Sequence, residues 1–242
     1  MAKLRLDQAI VQRRLVPTRS QAESYIKLGQ VKVNGAVVMK PGHPVSSDDK
    51  VVLTAQQQYV SRAALKLASV AEALNIDFRN KVVLDVGSST GGFTDYALRH
   101  GAKKVIAVDV GTNQLHVSLR ADPRVELHEQ TDIRNFRTKD TIDIAVADVS
   151  FISLRDILPC VAKLGQPDTQ IVAMVKPQFE AGQSSLKHKG VIKNDHMRRD
   201  ILKAFEMWTT QYFVIVTKAD SRVSGAKGNV ERFYLLRLPG RE

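Results

Sequence analysis

A chain of 242 residues, 43% of them hydrophobic, is long enough for one α/β domain of roughly 170 to 200 residues plus a small extra module. Its 36 Lys and Arg against 25 Asp and Glu give a formal charge of +11, the balance of a polyanion binder or of an ordinary basic surface, which only the distribution of charge separates. The single cysteine, Cys160, excludes an intramolecular disulfide and a cysteine-rich zinc site; no apolar run reaches the ~18 residues of a membrane span and none follows Met1, so a soluble cytoplasmic protein is expected.

Residues 1–55 read as a separate α+β unit. Leu6, Ala9 and Ile10 and, after Pro17, Ala22, Tyr25 and Ile26 recur at helical spacing and predict two short amphipathic helices. Thr18 followed by Gln21 fits a capping box, and Gly29 fits the C-terminal stop. Alternation from Val31 to Val38, broken by Asn34-Gly35, is a hairpin signal, and Lys50 to Thr54 predicts a further strand. Arg5, Arg13, Arg14, Arg19, Lys27 and Lys32 lie on or beside the helices, where they form either one phosphate-contacting face or a solvated one.

Arg5-Leu6-Asp7, Thr18-Arg19-Ser20-Gln21-Ala22, Ile26, Gly29, Val31, Val33-Asn34-Gly35 and Lys40-Pro41 resemble the small RNA-binding domain named after ribosomal protein S-four. The likeness covers nearly the whole segment and implies a helical face that holds structured RNA.

A polar linker over 56–60, begun by Gln56-Gln57-Gln58, is too short for long-range independent motion of two domains. The second domain is expected over 61–242. It opens with a helix capped by Ser61 and running to about Leu74, with Arg62 at its start and Lys66 in its second turn.

Val82-Val83-Leu84-Asp85-Val86 then leads into Gly87-Ser88-Ser89-Thr90-Gly91-Gly92-Phe93, the pattern of a buried parallel strand feeding a helix N-terminus. Glycines clear the approach of a ligand to the backbone, and free N–H groups at the helix start face it. They stand at offsets 0, 4 and 5 here, not at the 0, 2 and 5 of the dinucleotide fingerprint. Asp85 ahead of them repels a pyrophosphate and welcomes a cationic or zwitterionic ligand. S-adenosylmethionine, with a sulfonium, an amino-acid moiety and no phosphate, fits that loop.

Strand and helix patterns then alternate: Thr94 to His100 (helix) with Gly101 as stop, Lys104 to Asp109 (strand), Asn113 to Leu119 (helix), Val125 to His128 and Ile142 to Asp148 (strands), Leu154 to Leu164 (helix, with Pro159 as a kink) and Ile171 to Val175 (strand). This alternation predicts a doubly wound parallel sheet, Rossmann-like, with ligands at the carboxyl ends of the strands. A helix from about Asp195 to Trp208 carries Met197, Ile201, Ala204, Phe205 and Trp208 at core spacing. Tyr212 to Lys218 and Arg232 to Leu238, joined by a loop with Gly225 and Gly228, are the last strands and can pair antiparallel at the sheet edge.

Asp85, Asp109, Asp132 and Asp148 all lie at or just after strand ends, which converge on one crevice. Asp109 is placed to accept from ribose hydroxyls of the cofactor and Asp132 from the adenine amino group, with the Ile133 backbone reading the ring edge. Each acid alone is equally well a helix cap or a loop acid. Asp148-Val149-Ser150-Phe151 lacks the Pro-Pro-aromatic pattern common in enzymes that methylate exocyclic base nitrogens. Cys160 lies inside the following helix and reads as a packed thiol, not a nucleophile. The remaining target is an oxygen that loses a proton, and Lys66 and Lys176 are placed to stabilise an alkoxide or take that proton.

Ser61-Arg62-Ala63-Ala64-Leu65-Lys66-Leu67, the glycine loop, Asp148-Val149-Ser150-Phe151, Val175-Lys176-Pro177-Gln178-Phe179-Glu180 and Gly228-Asn229-Val230-Glu231 together resemble the TlyA family. These are FtsJ-like ribose methyltransferases with an amino-terminal S-four-type domain, and the likeness spans almost the entire chain. Their Lys-Asp-Lys-Glu tetrad maps onto Lys66, Asp148, Lys176 and Glu231. The resemblance implies a Rossmann-like class I methyltransferase using S-adenosylmethionine, with ribosomal RNA or ribosomal subunits as partner and no metal. It further implies Lys176 as base, Asp148 and Glu231 orienting it, and Lys66 positioning the ribose.

Ala63-Ala64 stands where glycines are frequent in the family. Gln183 to Asn194, with Lys187, Lys189 and Lys193, reads as a basic loop beside the site. Two other functions fit the same family name or fold: a membrane-active hemolysin, against which the absence of a long amphipathic cationic helix speaks, and a noncatalytic RNA-binding assembly factor, which would not need the tetrad.

Overall fold

The computed structural model describes residues 3–55, 58–182, 191–192, 194–225 and 228–240. The amino-terminal unit comprises β1 (Leu4–Arg5), α1 (Leu6–Gln12), α2 (Arg19–Lys27), β2 (Val31–Val33), β3 (Ala36–Val37), β4 (Pro44–Val45) and β5 (Val51–Leu53). Thr18 caps α2 by accepting from the Gln21 N–H. The hairpin between β2 and β3 turns on Asn34 (φ 50°) and Gly35 (φ 86°), both left-handed, as a two-residue hairpin loop of this kind requires. The pairing of β1 with β4 has no counterpart in the sequence reading: two residues are too few to show a period.

The second unit begins with α3 (Arg62–Ala71), capped by Ser61, followed by β6 (Val82–Val86), α4 (Gly92–Arg99), β7 (Lys104–Val108), α5 (Val117–Arg120), β8 (Val125–His128), β9 (Ile142–Ala147), α6 (Leu154–Leu164), β10 (Gly165–Val175), α7 (Pro177–Glu180), α8 (Asp195–Thr209), β11 (Val214–Asp220) and β12 (Arg232–Arg237). Its sheet has the order β11-β12-β10-β9-β6-β7-β8. Strand β12 runs antiparallel to both its neighbours, so it is inserted inside the edge strand β11.

Alternation along each strand builds the two faces of the sheet. Val83, Val105, Ile144 and Val172 pack with α3, α4 and the α5 region, whereas Leu84, Ile106, Ala145 and Ile171 pack with α6 and α8. Two expectations are corrected here. The helix expected over Asn113 to Leu119 is a single turn, Val117–Arg120, because Leu115 and Leu119 are its only buried anchors. In α8 the exposed Ala204 is not part of the core; Leu202, 1% exposed, is.

The two units share apolar contacts. Leu65 of α3 and Val223, 2% and 1% exposed, are buried in the cluster formed by Leu6, Ile10, Tyr25 and Ile26 of the amino-terminal unit. On the same helix Leu67 and Val70 belong to the core of the large sheet. The linker is tied down as well: the Val60 N–H donates to Asp95 of α4, and Arg99 lies 5.4 Å from the Tyr59 ring centroid.

Candidate active site

Sheet register fixes where the chemistry gathers. Val86 pairs with Ala147, and Val175 with Arg232, so the residues one step beyond, Gly87, Asp148, Lys176 and Glu231, leave the sheet at one edge. Between β6 and β9 the strand order reverses, which opens a crevice at their carboxyl ends.

The glycines of the loop are needed for shape. Gly87 has φ +80°, and a Cβ there would stand 2.7 Å from the Asp148 carbonyl oxygen. A Cβ on Gly92 would stand 2.3 Å from Ser61 Oγ and 2.9 Å from Ala64 N, so α3 closes on the loop over Gly92 and tolerates Ala63-Ala64 on its own side. Gly91, also left-handed, is the N-cap residue of α4.

Two adjoining cavities share Gly87, Ser89, Asp148 and Ser150. The smaller, about 140 Å³, is also lined by Asp85, Ser88, Gly92, Phe93 and Lys176. Three of its buried oxygens, Asp85 Oδ1, Ser88 Oγ and Asp148 Oδ1, have no hydrogen-bond partner among the described residues. Asp85 is 1% exposed, and its other oxygen accepts from Thr94 Oγ1 at 2.6 Å. Burial pushes this carboxyl up to about 7, with Asp148 and Asp109 acting in the same direction and Thr94 opposing. Asp85 thus lies beneath the cradle, not on its rim. Unpartnered buried acceptors are costly, and a ligand carrying a cationic donor relieves them.

The larger cavity, about 450 Å³, has apolar walls from Val86, Val108, Ile152 and Ile157, with Asp109, Asp132 and Ile133 at its polar end. Asp109 is held by the N–H groups of Ser89 and Gly111 at 2.8 and 2.7 Å, which leaves each carboxylate oxygen a further lone pair for a hydroxyl. Asp132 is clasped by the Arg134 guanidinium, which holds its carboxyl below the usual range. A ligand group must share Asp132 with that arginine.

The four tetrad residues form two ion pairs. Lys176 Nζ lies 2.5 Å from Asp148 Oδ1 and donates to Ser150 Oγ at 2.8 Å, on the lip of the smaller cavity. The contact to Oδ1 is close but lacks hydrogen-bond alignment, which is why that oxygen is also without a donor. Lys66 Nζ donates to Glu231 Oε1 at 2.9 Å with both residues buried, and neither lines the two cavities. Gly225 is pressed against Glu231: a Cβ there would fall 2.0 Å from Oε1.

Phe151 is 91% exposed with φ 66°, a strained conformation for an aromatic residue, and its ring lies 5.2 Å from that of Phe179 at the mouth of the larger cavity. Glu180 ties this loop down by accepting from Ser153 Oγ and the Leu154 N–H at 2.6 and 2.7 Å. Motif reading named Phe151 but gave no signal of its exposure or strain, and Ser150 and Phe179 were not singled out as site residues. Cys160 is half-buried and free in α6.

The expected RNA-contacting cations divide. Arg5 and Arg19 both grip Asp7, which is fully buried, and present about half of each side chain to solvent. Arg14 and Lys32 are exposed. The Arg13 guanidinium donates to the carbonyls of Asp49 and Ser46 at 2.6 and 2.8 Å and staples the unit together. Lys27 reaches across to Ser224 Oγ of the larger unit at 3.1 Å, a contact that uses one of its three donors. Arg62 is half-buried at the start of α3. Gln183 to Gly190 and Lys193 lie outside the described residues, Lys187 and Lys189 among them; Ile192 is anchored by its N–H to Asn229 Oδ1 at 3.0 Å.

Among the described residues no cluster of His, Cys, Asp and Glu could hold a metal ion. No helix of the described residues is long and apolar enough to cross a membrane.

Residues 59–238 match the FtsJ-like methyltransferase family and residues 4–51 the S4 domain. Hemolysin A of Brachyspira hyodysenteriae is 40% identical over 233 residues, covering 94% of this chain and 97% of its own length. The 16S/23S rRNA (cytidine-2'-O)-methyltransferase TlyA of Mycobacterium tuberculosis is 38% identical over 241 residues, 97% of this chain and 90% of that one. A solved structure from Streptococcus thermophilus, described as a hemolysin, superposes with a TM-score of 0.71 at 36% identity over 98% of this chain and 89% of its own. Arrangement and likeness agree over both units, and the chain belongs to the TlyA family, FtsJ-like methyltransferases carrying an amino-terminal S4 domain.

Proposed function

We propose that the protein methylates a ribose 2'-hydroxyl of ribosomal RNA with S-adenosylmethionine as donor. The observation that carries this reading is the Lys176–Asp148 pair at the lip of the glycine-loop cradle, in a chain of the TlyA family. The cradle fits the cofactor: Asp85 Oδ1 and Ser88 Oγ, which have no hydrogen-bond partner among the described residues, suit an α-ammonium group, and the apolar walls with Asp109 and Asp132 suit an adenosine. When bound, that group supplies an electrophilic methyl on a sulfonium.

The chain's own residues do the rest. Lys176 steadies the 2'-oxygen as charge develops on it and, in its neutral amine form, takes the hydroxyl proton at Nζ, while Asp148 and Ser150 hold the amine in place. The Lys66–Glu231 pair stands behind the site and fixes its wall, so we assign it positioning. Exposed Phe151 beside Phe179 offers a stacking surface to an unstacked base, which suits RNA taken as a single-stranded or flipped nucleotide. Arg5, Arg14, Arg19 and Lys32 supply phosphate contacts on the S4 side. A ribosomal substrate puts the protein in the cytoplasm.

The test is transfer of labelled methyl from S-adenosylmethionine to ribosomal subunits followed by alkaline hydrolysis, because a 2'-O-methyl group blocks cleavage at its own nucleotide. An alkali-resistant labelled dinucleotide is expected. Label in a base refutes the lysine mechanism, and no label with subunits or free RNA leaves a binding factor.

A further inference from the structure

A further cavity, about 430 Å³, lies where the two units meet, between α2 and the residues Val223, Ser224, Gly225 and Gly228. Its α2 wall is made by Ser20, Glu23, Ser24 and Lys27, one face of that helix, and its opposite wall by Ser224, Gly225 and Gly228. Arg62, the first residue of α3, also lines it.

The lining is polar and rich in donors. Arg62 is half-buried as a residue, and its guanidinium has no hydrogen-bond or ion-pair partner among the described residues. Its five N–H donors are open to an acceptor in the cleft, and the planar guanidinium matches phosphate bidentately. Lys27 gives one donor to Ser224 and keeps two. The one acid in the lining, Glu23, lies 3.5 Å from Arg19 and is already compensated. The N-terminal end of α3 adds its positive dipole.

Position narrows the ligand. Gly225 is at once a wall of this cleft and the residue pressed on Glu231. Arg62 precedes Lys66 by about one helical turn, roughly 6 Å of rise. On the other side Ser20 follows Arg19, one of the exposed S4 cations. The cleft is thus flanked by an S4 cation on one side and by the wall of the transfer site on the other.

We propose that the interdomain cleft binds a phosphodiester of the substrate RNA next to the target nucleotide, with Arg62 as its main contact and Lys27 as second. This rests on the RNA methyltransferase reading above. The cleft then acts as a ruler that sets which ribose reaches Lys176.

The test compares Arg62→Ala, Arg62→Lys and Ser20→Trp, the last a neutral plug on an exposed position of the α2 wall, in the full-length protein with ribosomal subunits. Melting temperature and S-adenosylmethionine binding without RNA serve as controls for folding. Expected are a fall in kcat/KM of tenfold or more for Arg62→Ala, partial recovery with Arg62→Lys, and a comparable fall for Ser20→Trp although charge is unchanged. Subunit binding by Arg62→Ala is expected to lose about 0.7 to 0.9 from the slope of log K against log salt, one phosphate contact. Wild-type kcat/KM in folded Arg62→Ala and Ser20→Trp proteins, or an unchanged salt slope, overturns the cleft. No methyl transfer by the wild type overturns the underlying function instead.

Discussion

Lys66→Met isolates the buried ion pair. The substitution keeps most of the apolar stem and removes the ammonium that Glu231 Oε1 accepts from at 2.9 Å. Glu231 is 2% exposed, and its Oε2 already has no donor among the described residues. Removing the cation leaves a carboxylate buried and uncompensated, which typically costs ~3–5 kcal/mol. At ~2–4 °C per kcal/mol for a chain of this size, the melting temperature falls by about 6 to 20 °C. Replacing both partners, Lys66→Met with Glu231→Leu, removes the stranded charge and restores stability to within about 1 kcal/mol of wild type. Urea unfolding followed by circular dichroism reads both numbers, and methyl transfer measured well below the transition stays lost in the double variant. A Lys66→Met protein within about 1 kcal/mol of wild type would refute the reasoning, since the pair would then behave as a solvated one.

Further outcomes follow from other contacts. For Asp85→Asn, the sign comes from a folded carboxyl raised from 3.8 to about 7: the ligand-free wild type has this contribution in full below 3.8 and loses it as pH rises through about 7. The variant therefore gains melting temperature over wild type at pH ~8 relative to pH ~5, and it lacks the tightening of S-adenosylmethionine binding that wild type shows as Asp85 ionises; parallel profiles would sink this. Gly87→Ala puts a side chain at φ +80° and 2.7 Å from the Asp148 oxygen, so cofactor binding measured by calorimetry is lost at a strain of about 1–2 kcal/mol. Gly225→Ala drives Glu231 off Lys66 and lowers kcat more than cofactor affinity, a split that equilibrium dialysis and steady-state kinetics separate. Lys176→Ala abolishes transfer while S-adenosylmethionine binding stays within about tenfold, about 1.4 kcal/mol; an active Lys176→Ala protein would remove it from the chemistry.

Periodicity carried the sheet because the central strands are continuous apolar runs and the helices between them have one apolar face. The glycine loop was legible for a different physical reason: a Cβ on Gly87 or Gly92 would fall 2.7 or 2.9 Å from a backbone atom of Asp148 or Ala64, which leaves room for glycine alone. What periodicity cannot see is partnership. Arg13 and Arg19 look alike in a charge pattern, yet one spends its donors on carbonyls of its own unit and the other stands half in solvent beside Asp7. Likewise the motif residues Lys66, Asp148, Lys176 and Glu231 came as one set from likeness, and only register and packing divide them into a pair at the cavity and a pair behind it. Asp132 carried no hint of its clasp, which Arg134 makes from two residues away within a loop.

Leu65 has a consequence for modularity. With Val223 it completes the core of the amino-terminal unit, although both residues are encoded with the larger one. The S4 part is thus not a detachable cassette: excising it would uncover apolar surface on α3 beside Lys66, and grafting it onto another protein would leave a hole where Leu65 and Val223 belong. Recombination between relatives should therefore tolerate exchange of the whole chain better than exchange at the linker.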